Sequence, residues 1–374
     1  MKIAFDAKRI LHNRTGLGNY GRTLITDLSS IVPSDTSLDL YAPDAGENDL
    51  RKMVKHLPHV AMHYAPYGYN GLAKAWWRSH GVVKQLVADG VDVFHGLSGE
   101  LPIGLKRTGI RSVVTIHDLI FMRHPEYYNP VDAWLYKQKF RLTCREARCI
   151  VAISQCTKRD IVELGHISPD RVKVVYQGCS PRFRRVEGED KREKVHTAYS
   201  LPQRYVVCVG TIEERKNALI AVEALNFLPQ DISLVIVGRA TKYTEKVRRY
   251  VADNKLQTRV KILTNVPHDD LPAIYQMAEV CAYPSRYEGF GIPVIEGIQS
   301  GLPVVAATGS CLEEAGGPDS QYVSPDDPRA MAAAIDRVLK GRPEREGRIE
   351  RARQYVTRFE NHHMAEEIYQ LYLQ

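Results

Sequence analysis

Short apolar runs punctuate the chain at intervals that suit alternating strands and helices. In the first half they are Ile3–Asp6, Leu38–Tyr41, Val60–His63, Val91–His95, Ser112–His117, Cys149–Ile153 and Val172–Tyr176. A second series runs through Tyr205–Val209, Leu234–Val237, Val260–Leu263, Val280–Tyr283 and Val304–Ala306. Each is short and rich in Val and Ile, as buried strands are. Helical patterns follow or separate them, for example at Val131–Arg148 and Ala330–Leu339. Such alternation predicts βαβ units and parallel sheets, an α/β fold in two halves. The polar stretch 181–200 separates the two series and reads as a linker. The predicted division is 1–180, linker 181–200 and 201–359. A last helical stretch, about Arg345 to Leu373, has no strand after it.

Length agrees with two domains, since 374 residues exceed what one core of roughly 150–200 residues usually holds. The N-terminal Met1–Asp6 becomes charged too early for a signal peptide and reads as a first buried strand. The seven cysteines are scattered, with no Cys-x-x-Cys, so reduced thiols and a cytoplasmic setting are expected rather than zinc or disulfides. The net charge of +7 is uneven. Residues 1–180 hold 24 Lys and Arg against 17 Asp and Glu, while the remainder balances at 27 against 27. A peripheral contact with the inner face of an anionic membrane, or an acidic lipid carrier, is one reading of that surplus. Ordinary surface composition is another. No basic-aromatic repeat points to nucleic acid.

The most chemically loaded stretch is Glu288-Gly-Phe-Gly-Ile-Pro-Val-Ile-Glu296, which follows the strand-like Val280–Tyr283. Pro293 suits the first turn of a helix. The layout is therefore strand, glycine turn, helix. Gly289 and Gly291, flanking Phe290, let backbone amides approach a ligand, and a helix N-terminus favours phosphate. Glu288 on the loop and Glu296 in the helix can each accept hydroxyl hydrogen bonds. A molecule that is sugar at both ends and phosphate between them fits that pattern. Upstream, the strand Tyr205–Val209 runs into Gly210, and Arg215-Lys216 follow. A lysine point charge beside a planar arginine fork suits a diphosphate. In the first half, Val113–Asp118 ends a buried strand in His117, where ligands meet open α/β sheets. There a His can donate to a sugar hydroxyl or titrate near neutral pH. Gly16-Leu-Gly18-Asn-Tyr-Gly21 matches a dinucleotide pattern. About nine residues separate it from Asp6, however, which weakens a nicotinamide reading.

Glu288-x7-Glu296, with Arg215-Lys216 about eighty residues earlier, resembles the signature of retaining glycosyltransferases of the GT-B fold, family 4 in particular. The resemblance implies two Rossmann-like domains with parallel sheets facing across a cleft. It also implies a last helix, about 360–374, that crosses back to the first domain. It implies that the donor diphosphate is held by Arg215 and Lys216 near Gly210. Glu296 would hold the ribose hydroxyls, Glu288 a sugar hydroxyl, and His117 would lie beside the transferred sugar. Gly16 and Gly18 would lie near the donor phosphates, and the base would meet the backbone near Val266. Residues 117–128 resemble a mannosyltransferase-like subgroup, which implies GDP-mannose as donor and a glycan, glycolipid or lipid-linked acceptor in polysaccharide synthesis. No Asp-x-Asp occurs, and no metal or other cofactor is expected. Asn265 stands where the family usually has Gly, and Glu214 where Pro is common. Alternatives stay open: a UDP-glucose or UDP-N-acetylglucosamine donor, a sugar-nucleotide epimerase of the same architecture, and a non-catalytic nucleotide-sugar-binding protein. Leu72–Leu86, basic and holding Trp76 and Trp77, reads either as a membrane-interface helix or as core and acceptor-groove packing.

Overall fold

The computed structural model describes every residue except Tyr67 and the side chain of Asn361. Two compact units divide it: Met1–Gly178 with Phe359–Gln374, and Cys179–Arg358.

The first unit is built on seven parallel strands: β1 Lys2–Asp6, β2 Ser37–Ala42, β3 Val60–Tyr64, β4 Val93–Gly96, β5 Arg111–Ile116, β6 Cys149–Ala152 and β7 Val172–Val174. Their order is β3-β2-β1-β4-β5-β6-β7. The chain therefore reverses direction across the sheet between β1 and β4. Strand side chains alternate between two cores. Ile3, Phe5, Val93, Val113 and Val151 pack against helix Gly16–Ile31 and the C-terminal helix Asn361–Leu373, through Leu24, Leu28, Ala365 and Ile368. Ala4, Phe94, Val114 and Ile150 face the opposite core, which is closed by Trp77, Val82, Leu86, Phe140 and Cys144.

The second unit has six parallel strands: β8 Tyr205–Val209, β9 Ser233–Val237, β10 Val260–Leu263, β11 Val280–Tyr283, β12 Val304–Ala307 and β13 Gln321–Val323. They run β10-β9-β8-β11-β12-β13, with the reversal between β8 and β11. Strand β13 carries too few apolar residues in Gln321-Tyr-Val323 to stand out as a run.

Two expectations are corrected. Segment 181–200 is no linker. It holds the helix Glu189–Tyr199 and belongs to the second unit, where Phe183 packs edge-on against Tyr275 at 5.7 Å and Tyr199 donates to Asp270 at 2.8 Å. Its single buried helix residue, Val195, left no apolar stripe to read. The chain passes between units at 178/179 and again at 358/359. The stretch 345–373 is two helices, Arg345–Tyr355 and Asn361–Leu373, broken by a 3-10 turn at Val356–Phe359. Among the described residues no helix is long and apolar enough to cross a membrane.

Candidate functional site

In open α/β sheets, ligands meet the carboxyl ends of strands where the strand order reverses, because the loops there splay apart. In the second unit that place lies between β8 and β11, and Gly210, Arg215, Lys216 and Glu288 converge on it. Gly210 has φ 149, and its neighbour Gly238, at the end of β9, approaches so closely that a Cβ would lie 1.8 Å from the Gly210 carbonyl oxygen. Glycine is thus required at Gly238 for the two loops to touch and at Gly210 by its positive φ. Asn217 holds φ 57, closing the turn that swings Arg215 and Lys216 back toward the sheet, and its amide donates to the Pro325 carbonyl at 2.8 Å.

Glu288 is the hub. Its carboxylate lies 2.5 Å from Lys216 Nζ and 3.0 Å from Arg215 Nη1. It also accepts from Ser285 at 2.6 Å and from Tyr283 at 2.9 Å. Arg215 is anchored in turn on the Tyr287 carbonyl and on Glu213, at 2.6 and 2.7 Å. Burial alone would raise the Glu288 pKa. The two cations outweigh it, and the group is held down at about 2. The residues 289–291 behind it are buried, with Phe290 only 3% exposed. Gly291, at φ 110, caps helix Ile292–Gln299 without a side chain, and a Cβ there would strike Leu312 at 2.8 Å.

Glu296, one turn inside that helix, has an opposite environment. Among the described residues, its carboxylate accepts a hydrogen bond from the Tyr275 hydroxyl at 3.2 Å. Burial raises its pKa to about 7, against the opposing pull of Tyr275 and Arg182. The two carboxylates of one motif are therefore driven apart. Glu288 is fixed as an anion, and Glu296 is close to half-protonated at neutral pH. Val266 follows edge strand β10, two strands from the reversal, in a loop where Asn265 takes φ 59. Asparagine tolerates that left-handed backbone, so the loop keeps its path without glycine.

The first unit's reversal carries a neutral cluster at the ends of β4 and β5. His117 follows β5, and its Nε2 lies 2.9 Å from the Leu97 carbonyl. A carbonyl only accepts, so Nε2 carries the hydrogen and Nδ1 is left as an acceptor. Burial pushes the His117 pKa down to about 4, so the ring neither donates from Nδ1 nor titrates near neutrality, as the sequence had suggested. The Tyr20 ring stands edge-on to it at 4.7 Å. Behind them runs a buried chain that sequence reading missed. Tyr20 and Thr115 hydroxyls are 3.1 Å apart, His95 Nε2 is 2.9 Å from Thr115, and His95 Nδ1 is 2.5 Å from the hydroxyl of Tyr372 on the C-terminal helix. Burial lowers the His95 pKa to about 3. The signal for His95 and Thr115 was a polar side chain near a strand end, and Tyr20 and Tyr372, on helices, gave none.

Gly16 and Gly18 fare differently. Gly16 opens helix Gly16–Ile31 and has free space around its Cα. At Gly18 a Cβ would lie 1.8 Å from the Asn13 carbonyl oxygen, so its glycine serves packing against its own chain. A short helix, Lys8–His12, fills the gap after β1, which removes the dinucleotide geometry.

Beside the β1 end lies a cavity of about 660 Å³. Arg78 crosses its floor, donating to Asp6 through Nε at 3.0 Å and pairing also with Glu100, while Lys139 reaches Glu100 at 3.1 Å. Burial opposes ionisation of Glu100, but Arg78 and Lys139 hold its pKa at about 2.

Comparisons with known proteins agree with this architecture. Residues 31–183 match the family described as Glycosyltransferase Family 4, and residues 190–355 match Glycosyl transferases group 1. The O-antigen chain mannosyltransferase B of Escherichia coli is 29% identical over 66% of this chain and 65% of its own length. The O-antigen chain mannosyltransferase RfbU of Salmonella typhimurium is 26% identical over the same shares, 66% and 65%. The match thus spans about two thirds of each relative. Among solved structures, Anabaena HepE in complex with UDP and glucose superposes with a TM-score of 0.77 at 19% identity, covering 99% of both chains. WaaG, a glycosyltransferase involved in lipopolysaccharide biosynthesis, gives 0.71 at 16% identity, again over 99% of both. The two doubly wound sheets form the GT-B fold, and with both family matches in place the chain belongs to the family 4, group 1 glycosyltransferases.

Proposed function

We propose that this protein transfers a hexose, mannose, from GDP-mannose to a glycan or lipid-linked acceptor during cell-surface polysaccharide synthesis, with retention of anomeric configuration. The observation that carries the reading is the convergence of Arg215 and Lys216 on Glu288 at the β8/β11 reversal. Two fixed cations there suit a diphosphate whose negative charge grows as the glycosidic bond breaks. Glu288, held as an anion, suits a sugar hydroxyl beside a ring that becomes positive. Glu296, with an oxygen to spare beyond Tyr275, suits the ribose hydroxyls. His117 Nδ1 would accept a hydrogen bond from a hydroxyl of the transferred sugar. The acceptor would attack the face the diphosphate leaves, through an oxocarbenium-like state. The names of the bacterial relatives favour mannose and O-antigen-type products.

The test is product analysis with GDP-mannose, UDP-glucose and UDP-N-acetylglucosamine, each with and without lipid-linked oligosaccharide. Acceptor-dependent mannosyl transfer with the α-anomer kept is the expected result. Turnover of the sugar nucleotide into its epimer without acceptor would replace the transferase reading with an epimerase. Binding without turnover of any donor would leave a non-catalytic binding protein.

A further inference from the structure

We propose that a cavity at the C-terminal end of helix Ile292–Gln299 binds a second ligand, a small hydroxylated phosphate monoester. The cavity lies within the second unit and measures about 370 Å³, inside the roughly 300–1,000 Å³ range of small-molecule sites. The helix has eight residues and is about 12 Å long. Glu288 and Gly291 precede its first turn, and the cavity lies at its last residue. The two ends are separate places, so this is not the cluster of Arg215, Lys216 and Glu288.

Gln299 lines the cavity, yet it is only 3% exposed. Neither the nitrogen nor the oxygen of its amide has a hydrogen-bond partner. Among the described residues, no other buried side chain has two polar atoms in that condition. Burying a polar group without a partner is costly, and buried amides are ordinarily satisfied. A leucine would sit at this position without that cost. An amide both donates and accepts, as hydroxyls do, so it suits a molecule that carries several of them.

Arginine sets the head of the ligand. Arg353, on helix Arg345–Tyr355, lays its guanidinium over the end of the Gln299 helix: a Cβ on Gly301 would lie 2.8 Å from its Nη2 and 3.5 Å from its Cζ. Arg353 has no ion-pair partner among the described residues. The neighbouring Glu350 instead accepts from Gln354 at 3.3 Å. Arg184, from the 3-10 turn Pro181–Arg184, lines the same cavity. Two planar forks of donors against one carboxylate suit a phosphate. Val186 and Val356 offer an apolar side to the carbon skeleton. None of these residues belongs to the proposed donor site, so the cavity can fill whether or not any sugar is transferred.

The experiment is calorimetric titration of ribose 5-phosphate into the full chain, with and without saturating GDP. Saturable binding is expected in both conditions, with inorganic phosphate weaker and ribose weaker still. Arg353→Ala should weaken it roughly 10-fold or more, through lost charge-assisted bonds to phosphate. Arg353 is exposed, so this change leaves folding intact. Gln299→Leu should weaken ribose 5-phosphate severalfold and leave inorganic phosphate unchanged, because the amide meets the hydroxylated body. Without ligand, that variant should unfold at the wild-type temperature or above it, since it no longer buries an unpartnered amide. No binding in either condition, or equal binding by wild type and both variants, would overturn the proposal. So would inorganic phosphate binding as tightly as ribose 5-phosphate, which would leave an adventitious anion site. Binding that GDP abolishes would put the ligand in the donor site and overturn it too.

Discussion

The two sheets end at similar reversals, yet the cluster at β8/β11 and the cluster at the ends of β4 and β5 carry opposite chemistry, while the ion pairs of Asp6, Arg78 and Glu100 lie at the end of β1. At β8/β11, two cations and a permanent anion are packed within hydrogen-bond reach of one another. At β1/β4 and the adjoining end of β5, a chain of neutral rings and hydroxyls, from Tyr372 through His95 and Thr115 to Tyr20, lies beneath a neutral His117. The first arrangement stabilises charge that changes during a reaction. The second fixes orientation and leaves hydroxyl-sized partners unperturbed.

Breaking the charged edge should have the largest effect. Glu288→Gln keeps the shape and the bonds from Ser285 and Tyr283, but it removes the anion between Lys216 and Arg215. Loss of one electrostatic group acting in the transition state costs on the order of 10²–10³ in kcat, and that is expected here. GDP affinity should hold or tighten, since the cations lose their competitor. Steady-state kinetics and GDP calorimetry together read both signs. If kcat persists and GDP binding collapses, Glu288 belongs to the binding end instead.

Lys216→Ala is expected to lower kcat/KM by roughly 10–100-fold, the loss of one charge-assisted hydrogen bond of about 1.5–3 kcal/mol. Wild-type kinetics would remove the lysine from the diphosphate.

The neutral edge should respond in stability before chemistry. Tyr372→Phe leaves the buried His95 Nδ1 without its partner, at a cost of about 1–3 kcal/mol. Chemical denaturation should show that loss, with GDP binding in the second unit unchanged. Equal stability would mean that the His95–Tyr372 contact contributes nothing net.

The smallest effect, and the sharpest internal contrast, concerns Glu296. Its folded pKa of about 7 lies above the ordinary carboxylate value, so the folded state binds this proton more tightly than the unfolded chain does. The stabilisation is complete below the unfolded pKa of about 4.3 and is lost as pH rises to about 7. An ionised carboxylate accepts ribose hydroxyls better than a protonated one. Donor affinity should therefore rise a few-fold between roughly pH 6 and 8. Glu296→Gln should flatten that profile, raising KM with kcat nearly constant, as expected of binding equal in ground and transition states. Calorimetry across pH checks it. An unchanged slope in the variant would assign the titration elsewhere. Glu288, at about 2, should contribute no slope in this range.

Much of this was legible in the chain. Strand runs are apolar and regular, so all strands but the three-residue β13 were foreseen, and Glu288, Arg215 and Lys216 stand at turn glycines whose spacing marks a ligand loop. What escaped notice has a physical pattern. Tyr283, Ser285, Thr115 and His95 are ordinary polar residues at strand ends, and only tertiary packing shows that they face one another. Gly18 looks like a ligand glycine in sequence, but it is needed because the backbone at Asn13 passes within contact. The helix Glu189–Tyr199 hid in a polar segment because it buries one side chain, Val195. The protonation of His117 was misjudged because burial is a property of the fold and not of the Val113–Asp118 motif.

The central claim is that the β8/β11 reversal grips the diphosphate of a nucleotide sugar. Calorimetric titration of GDP and UDP into the wild type, Arg215→Ala and Lys216→Ala tests it most directly. The account predicts that the wild type binds GDP more tightly than UDP, and that each variant loses roughly 10-fold or more in GDP affinity. Equal GDP affinity in all three proteins, or no binding of either diphosphate to the wild type, would contradict it.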